Sequence, residues 1–174
     1  MKPAASNIEK LAQQKSEENW DFRAYLKMQD DITNKDLDEL VFQITRRIWK
    51  TIDCKACGRC CHDLRPGVTD AEQQRLATRL NMSADEFRNR YLEYDPDGAD
   101  NPPWRLKDSP CPFLQDNKCT LYEDRPAQCR EYPYLYQPDF SFRTIAMIER
   151  AYTCPLVYQV MEEIKASLPF RRFK

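Results

Sequence analysis

Four of the chain's eight cysteines are packed into one short run, Cys54-Lys-Ala-Cys57-Gly-Arg-Cys60-Cys61, and the only histidine, His62, follows it. Core packing seldom crowds thiols in this way, so the run must be bridged, metallated or catalytic. Spacings of three let a curled loop gather Cys54, Cys57 and Cys60 around one centre while main-chain amides point at the sulfurs. Tetrahedral zinc and iron–sulfur clusters both use such runs. Adjacent side chains diverge, so Cys61 is expected to face away from the centre that Cys60 serves. The remaining thiols, Cys111, Cys119, Cys129 and Cys154, each occupy a turn-like setting. All eight are candidate metal ligands, enough for two four-thiolate sites. Cys54, Cys57 and Cys60 would be completed by Cys154. Cys61 would join Cys111, Cys119 and Cys129, as a second site or as an unmetallated accessory set.

The metal's identity stays open between an iron–sulfur cluster and zinc. A C-x2-C-x2-C run completed by a remote cysteine before proline resembles the ligand pattern of 4Fe–4S ferredoxins, and both Cys111-Pro112 and Cys154-Pro155 offer that ending. The 4Fe–4S cluster is the preferred reading. Zinc is served comparably by paired C-x2-C knuckles. Thiolates bring negative charge, and Lys55, Arg59, Arg65, Arg125 and Arg130 all lie near cysteines in sequence and could offset it. His62 beside Cys61 is poorly placed for a thiol–imidazole couple, because catalytic pairs come from separate segments. It is expected outside the coordination shell.

The elements that must hold these residues read as mostly helical, with short strands and long loops. Ile8, Leu11, Trp20, Phe22, Tyr25 and Leu26 suggest an amphipathic segment broken near residues 15–19. Thr33 can cap a second helix bearing Leu37, Leu40, Val41, Ile44 and Ile48. Thr69 with Glu72 and Ser83 with Glu86 match the capping box and predict two short helices joined at Asn81-Met82. Short strands are expected at Trp104 to Lys107, Lys118 to Tyr122 and Phe140 to Ile145. Pro126 should open a short helix carrying Cys129, and Pro155 a closing helix with Leu156, Val160, Ile164 and Leu168 on one face. The expected organisation is a helical extension over residues 1–50 packed on a cysteine-cluster domain at 51–160, with 161–174 ending the last helix and its tail.

Composition narrows the partners. Lys and Arg total 27 against 28 for Asp and Glu, which leaves no basic surface for nucleic acid. No stretch approaches the ~20 apolar residues of a membrane span, and the N-terminus lacks a secretory signal. A cytoplasmic location follows, where thiols stay reduced, and disulfides are not expected. The expected partner is a metal ion or cluster. Trp104 and the tyrosines of Glu131-Tyr-Pro-Tyr-Leu-Tyr-Gln-Pro138 are read as core or as shielding for the metal. The alternative makes them the exposed patch of a zinc-stabilised adaptor, its protein partner unknown.

Taken together, these residues resemble the CxxCxxCC family, a zinc- or iron-chelating domain also described as YkgJ-like. The resemblance runs through Cys54 to Cys61, then Cys111-Pro-Phe-Leu, then Cys119-Thr-Leu-Tyr-Glu-Asp-Arg125-Pro126-Ala-Gln-Cys129-Arg130-Glu-Tyr-Pro133, and ends in Cys154-Pro155. All eight cysteines fall on family positions, and the resemblance implies chelation by them. A related cluster occurs in flagellin lysine methylases, which use S-adenosylmethionine, so a cluster-dependent enzyme is an alternative expectation. This chain departs from those enzymes in being shorter and in lacking a glycine-rich cofactor segment.

Overall fold

The computed structural model describes residues 7–96 and 103–172. The chain is mostly helical, with short antiparallel strand pairs. The expectations for residues 97–102 of the central loop and for Phe173 and Lys174 lie outside the described residues. Two compact units divide it: Met1–Asp53 with Pro133–Lys174, and Cys54–Tyr132.

The first unit is helical. Helix α1 (Ile8–Gln14) and α2 (Ser16–Met28) break at Lys15, and α3 spans Asn34–Trp49. Thr33 caps α3 by accepting the Asp36 N–H at 3.1 Å. The apolar stripe of α3 is buried at Leu37, Val41, Ile44 and Ile48. In the second unit come two short turns, α4 (Cys54–Cys57) and α5 (Arg59–Asp63), then α6 (Asp70–Arg79), α7 (Ala84–Tyr91), β1 (Leu92–Tyr94), β2 (Trp104–Leu106), β3 (Leu114–Gln115), β4 (Lys118–Cys119) and α8 (Ala127–Glu131). The chain returns to the first unit for α9 (Phe140–Ala151) and α10 (Pro155–Ser167).

Helix α9 corrects one expectation, since a strand was anticipated at residues 140–145. The alternation of Phe140, Phe142 and Thr144 with Ser141 and Arg143 mimics a strand, yet the buried positions Phe140, Thr144, Met147, Ile148 and Ala151 follow helical spacing. Its cap is also invisible locally. The Asp38 carboxylate on α3 accepts the N–H groups of Asp139 at 2.8 Å and Phe140 at 2.9 Å. Helix α10 starts at Pro155, where a missing N–H costs nothing, and buries Leu156, Val160 and Ile164. Phe22, Val41, Phe140, Met147 and Val157 form the centre of this core. Lys165 sits at its edge with its side chain 4% exposed, paired with Glu18 at 2.7 Å and with Glu162.

The second unit has its own smaller core of Val68, Leu76, Ala77, Phe87, Leu92, Leu106, Phe113 and Leu121, with Cys111 and Cys119 packed against it. Both capping boxes form as the sequence predicts, and Asn81 takes a positive φ of 55° between their helices. Strands β1 and β2 pair antiparallel with Glu93 opposite Arg105. Strands β3 and β4 pair with Leu114 opposite Cys119, so the expected strand to Tyr122 is cut to two residues. Their turn, Asp116-Asn117, has φ of 48° and 60°, the left-handed pair that a two-residue hairpin demands. Among the described residues no helix is long and apolar enough to cross a membrane.

Candidate metal centre

Thiols Cys54 and Cys57 open the second unit on the single turn α4, and Cys54 is exposed. Gly58 then adopts φ 57°, and a Cβ there would meet Asn117 at 3.2 Å. This close approach seats the β3–β4 turn on the cysteine loop and brings β4, with Cys119, against α4. His62 completes the seam. Its Nε2 lies 3.1 Å from Asn117 Oδ1, and its carbonyl accepts the Ser109 hydroxyl. Cys111 donates its N–H to the Cys61 carbonyl at 2.8 Å. One main-chain bond thus joins the segments of Cys61 and Cys111, and the contacts of Gly58 and His62 with Asn117 bring in the segment of Cys119.

Helix α8 brings Cys129 to the same place. Each of the six pairs among Cys61, Cys111, Cys119 and Cys129 is close enough for one thiolate to disfavour the other. Burial pushes Cys129 up to about 12, and the charges of Cys111, Cys61 and Cys119 add to it. Burial likewise raises Cys111 to about 11, against the opposing hydrogen bond that its sulfur accepts from the Phe113 N–H. Cys119 is raised by burial too, although its sulfur accepts the Leu121 N–H. Cys61 moves the other way, to about 7, because Cys60 hydrogen-bonds to it and Arg125 and His62 add positive charge. The adjacent side chains of Cys60 and Cys61, expected to diverge, therefore meet.

Among the five cations near cysteines in sequence, Arg125 is the one whose charge reaches Cys61, Cys119 and Cys129. Its Nε donates to the Tyr122 carbonyl at 2.7 Å, and its guanidinium lies 3.5 Å from the centre of the Tyr122 ring. Lys55 lies 4.1 Å from the same ring centre. Arg59 pairs with Asp63 at 3.1 Å, Arg65 with Glu93 at 2.8 Å, and Arg130 donates to the Arg125 carbonyl at 2.9 Å. Sequence reasoning left open which of these cations serves the thiols, and it did not single out Asn117, Tyr122 or Glu72 around them. Asn117 carried a signal in the Asp-Asn turn dipeptide two residues before Cys119. Glu72 was read only as a cap.

The structure does not gather all eight thiols into one unit. Cys154 belongs to the first unit, as N-cap residue of α10, packed against that unit's core. None of the eight is joined in a disulfide. Among the described residues no group of three or more His, Cys, Asp or Glu could hold a metal ion as it stands. Trp104 lies beside Tyr94 with ring centres 5.0 Å apart in the second unit. In the first unit, Arg150 covers Tyr134 at 4.8 Å and Tyr136 leans on Phe42 and Trp49.

No curated protein and no solved structure shows significant similarity to the chain. The profile of the CxxCxxCC family, described as a "Putative zinc- or iron-chelating domain", matches residues 53–155, more than half of the chain and all eight cysteines. This match and the cysteine order place the chain in the CxxCxxCC family of zinc- or iron-chelating domains.

Proposed function

We propose that the chain chelates a thiophilic metal, zinc or iron, through Cys61, Cys111, Cys119 and Cys129. The observation that carries this reading is the mutual electrostatic reach of four thiols from separate segments. Four soft donors of one kind suit zinc or iron and suit hard cations poorly. Main-chain N–H groups from Phe113 and Leu121 already point at two of the sulfurs, and Arg125 supplies positive charge beside three. Thiolates that oppose one another when empty attract a shared cation, so loading would draw the set together rather than fill a finished cage. The bound metal would supply a crosslink between chain segments and, where it is iron, a one-electron couple.

A second reading rests on the exposed run. Cys54 and Cys57 stand one turn apart, and the left-handed Gly58 bends the chain before Cys60. This run is the proposed holder of a second centre, a 4Fe–4S cluster. Serine substitution separates the two sets. Cys61→Ser and Cys119→Ser should each abolish the same metal equivalent, and Cys57→Ser should spare it. Loss of that equivalent in Cys57→Ser would merge the two sets, and its retention in Cys119→Ser would remove the proposed centre.

A further inference from the structure

The chain contains two capping boxes of one sequence pattern, and the structure uses them differently. In Ser83-x-x-Glu86 the glutamate is exposed and returns one oxygen to the Ser83 N–H at 2.7 Å. In Thr69-x-x-Glu72 the glutamate is 7% exposed, and its two oxygens are divided. Oε2 accepts the Thr69 N–H at 2.8 Å and so closes its own helix. Oε1 accepts the N–H of Ala127 at 2.7 Å. Ala127 is the first residue of α8, two positions before Cys129.

Glu72 does not act alone on that segment. Arg75 and Arg79 follow it on one face of α6, at spacings of three and four. Arg75 Nη2 donates to the carbonyls of Asp124 at 3.2 Å and Arg125 at 3.3 Å. Arg79 pairs with the Asp124 carboxylate at 3.3 Å. On the same short helix, Gln128 accepts the Gly67 N–H at 2.6 Å. Helix α6 thus runs as a splint along residues 124–127, the segment that delivers Arg125 and Cys129 to the other thiols.

We infer that Glu72 is a positioning residue for the metal-binding thiols: by holding the Ala127 N–H it fixes the start of α8 and so the aim of Cys129 at Cys61, Cys111 and Cys119. This inference rests on the chelation reading above. Carboxylate chemistry is required, because both partners are N–H donors and each oxygen is already committed. A glutamine of the same size would face one of them with its own N–H2. Residues that orient a ligand from behind change metal affinity by about 10–100-fold.

The experiment loads the full chain with zinc and follows its release to a chromophoric chelator, in wild type, Glu72→Gln and Glu86→Gln. Cobalt(II) absorption of each variant reports the thiolate geometry. Glu72→Gln should release zinc about tenfold faster or more and shift the cobalt–thiolate bands, whereas Glu86→Gln should match wild type. Equal release from all three, or equal acceleration in both variants, would overturn the assignment, the second outcome reducing Glu72 to an ordinary cap. Arg75→Ala loosens residues 124 and 125 and removes a charge near Glu72, but it takes away no capping-box hydrogen bond. It should also speed release if Glu72→Gln folds poorly, and unchanged release from it would count against the splint. Failure of the wild type to take up zinc or cobalt would instead remove the chelation reading and this inference with it.

Discussion

Replacing Arg125 by glutamine tests whether one cation, rather than the general surplus near the cysteines, serves the thiol set. The side chain is held by a 2.7 Å bond to the Tyr122 carbonyl and by its 3.5 Å approach to the Tyr122 ring. Losing a charged hydrogen bond costs about 1.5–3 kcal/mol at most, and the ring contact contributes about 0.5–1 kcal/mol at a partly exposed site. Glutamine can keep part of the first, so the metal-free protein should lose roughly 1–2 kcal/mol, read by urea unfolding. The larger effect belongs to the loaded form. Four thiolates around a divalent ion leave a double negative charge, and Arg125 is the cation whose field reaches three of those sulfurs. Its removal should weaken zinc binding about 10–100-fold, or about 1.4–2.8 kcal/mol, measured by competition with a chromophoric chelator at fixed ionic strength. Arg125→Lys keeps the charge without the planar fork and should fall between wild type and glutamine. Arg59→Gln is the control, since Arg59 already pairs with Asp63. An Arg125→Gln competition curve that overlays wild type, or one that Arg59→Gln reproduces, would refute the charge assignment.

Four further outcomes follow from the same structure. Lys165→Met should destabilise the first unit by about 2–4 kcal/mol, because it strands Glu18 and Glu162 while Lys15, at 2.9 and 3.2 Å, offsets only part of the loss; denaturant unfolding without a shift would contradict this. In metal-free protein near neutral pH, iodoacetamide with peptide mass spectrometry should label Cys61 well before Cys111 and Cys129, and the reverse order would count against the thiol environments described. The raised values of Cys111 and Cys129 stabilise the folded metal-free unit below the ordinary thiol range. That contribution should decline from the ordinary thiol range upward and be gone once pH passes about 11 and about 12, because the unfolded chain releases these protons first; melting that improves over this window would oppose it. His62→Ala should keep its full metal equivalent, since the imidazole is engaged with Asn117; loss of one equivalent would make it a ligand.

Local chemistry was readable where cause and effect lie within a turn of each other. Thr33, Thr69 and Ser83 announce their helices because each cap bond spans three residues, and Pro155 marks a start by what it lacks. Helix α9 was hidden because its N–H groups bond to Asp38, a hundred residues earlier in the chain. The sequence carries no mark of β1, whose partner β2 lies across the loop. At the thiols, spacing suggested a set of Cys61, Cys111, Cys119 and Cys129, and the charges of these four act on one another, while Cys60 also bonds to Cys61. What spacing could not show is which cation serves them. That depends on Asp63 and Glu93 occupying Arg59 and Arg65, contacts set by the fold.

The most direct test of chelation is the metal and sulfide content of the protein purified without oxygen, measured beside alkylation of its native thiols. The account predicts at least one equivalent of zinc, or of iron with or without sulfide, per chain. Cys61, Cys111, Cys119 and Cys129 should resist alkylation until a chelator strips that metal. Protein with neither zinc nor iron, and with those four thiols alkylated at the rates of the metal-free form, would contradict it.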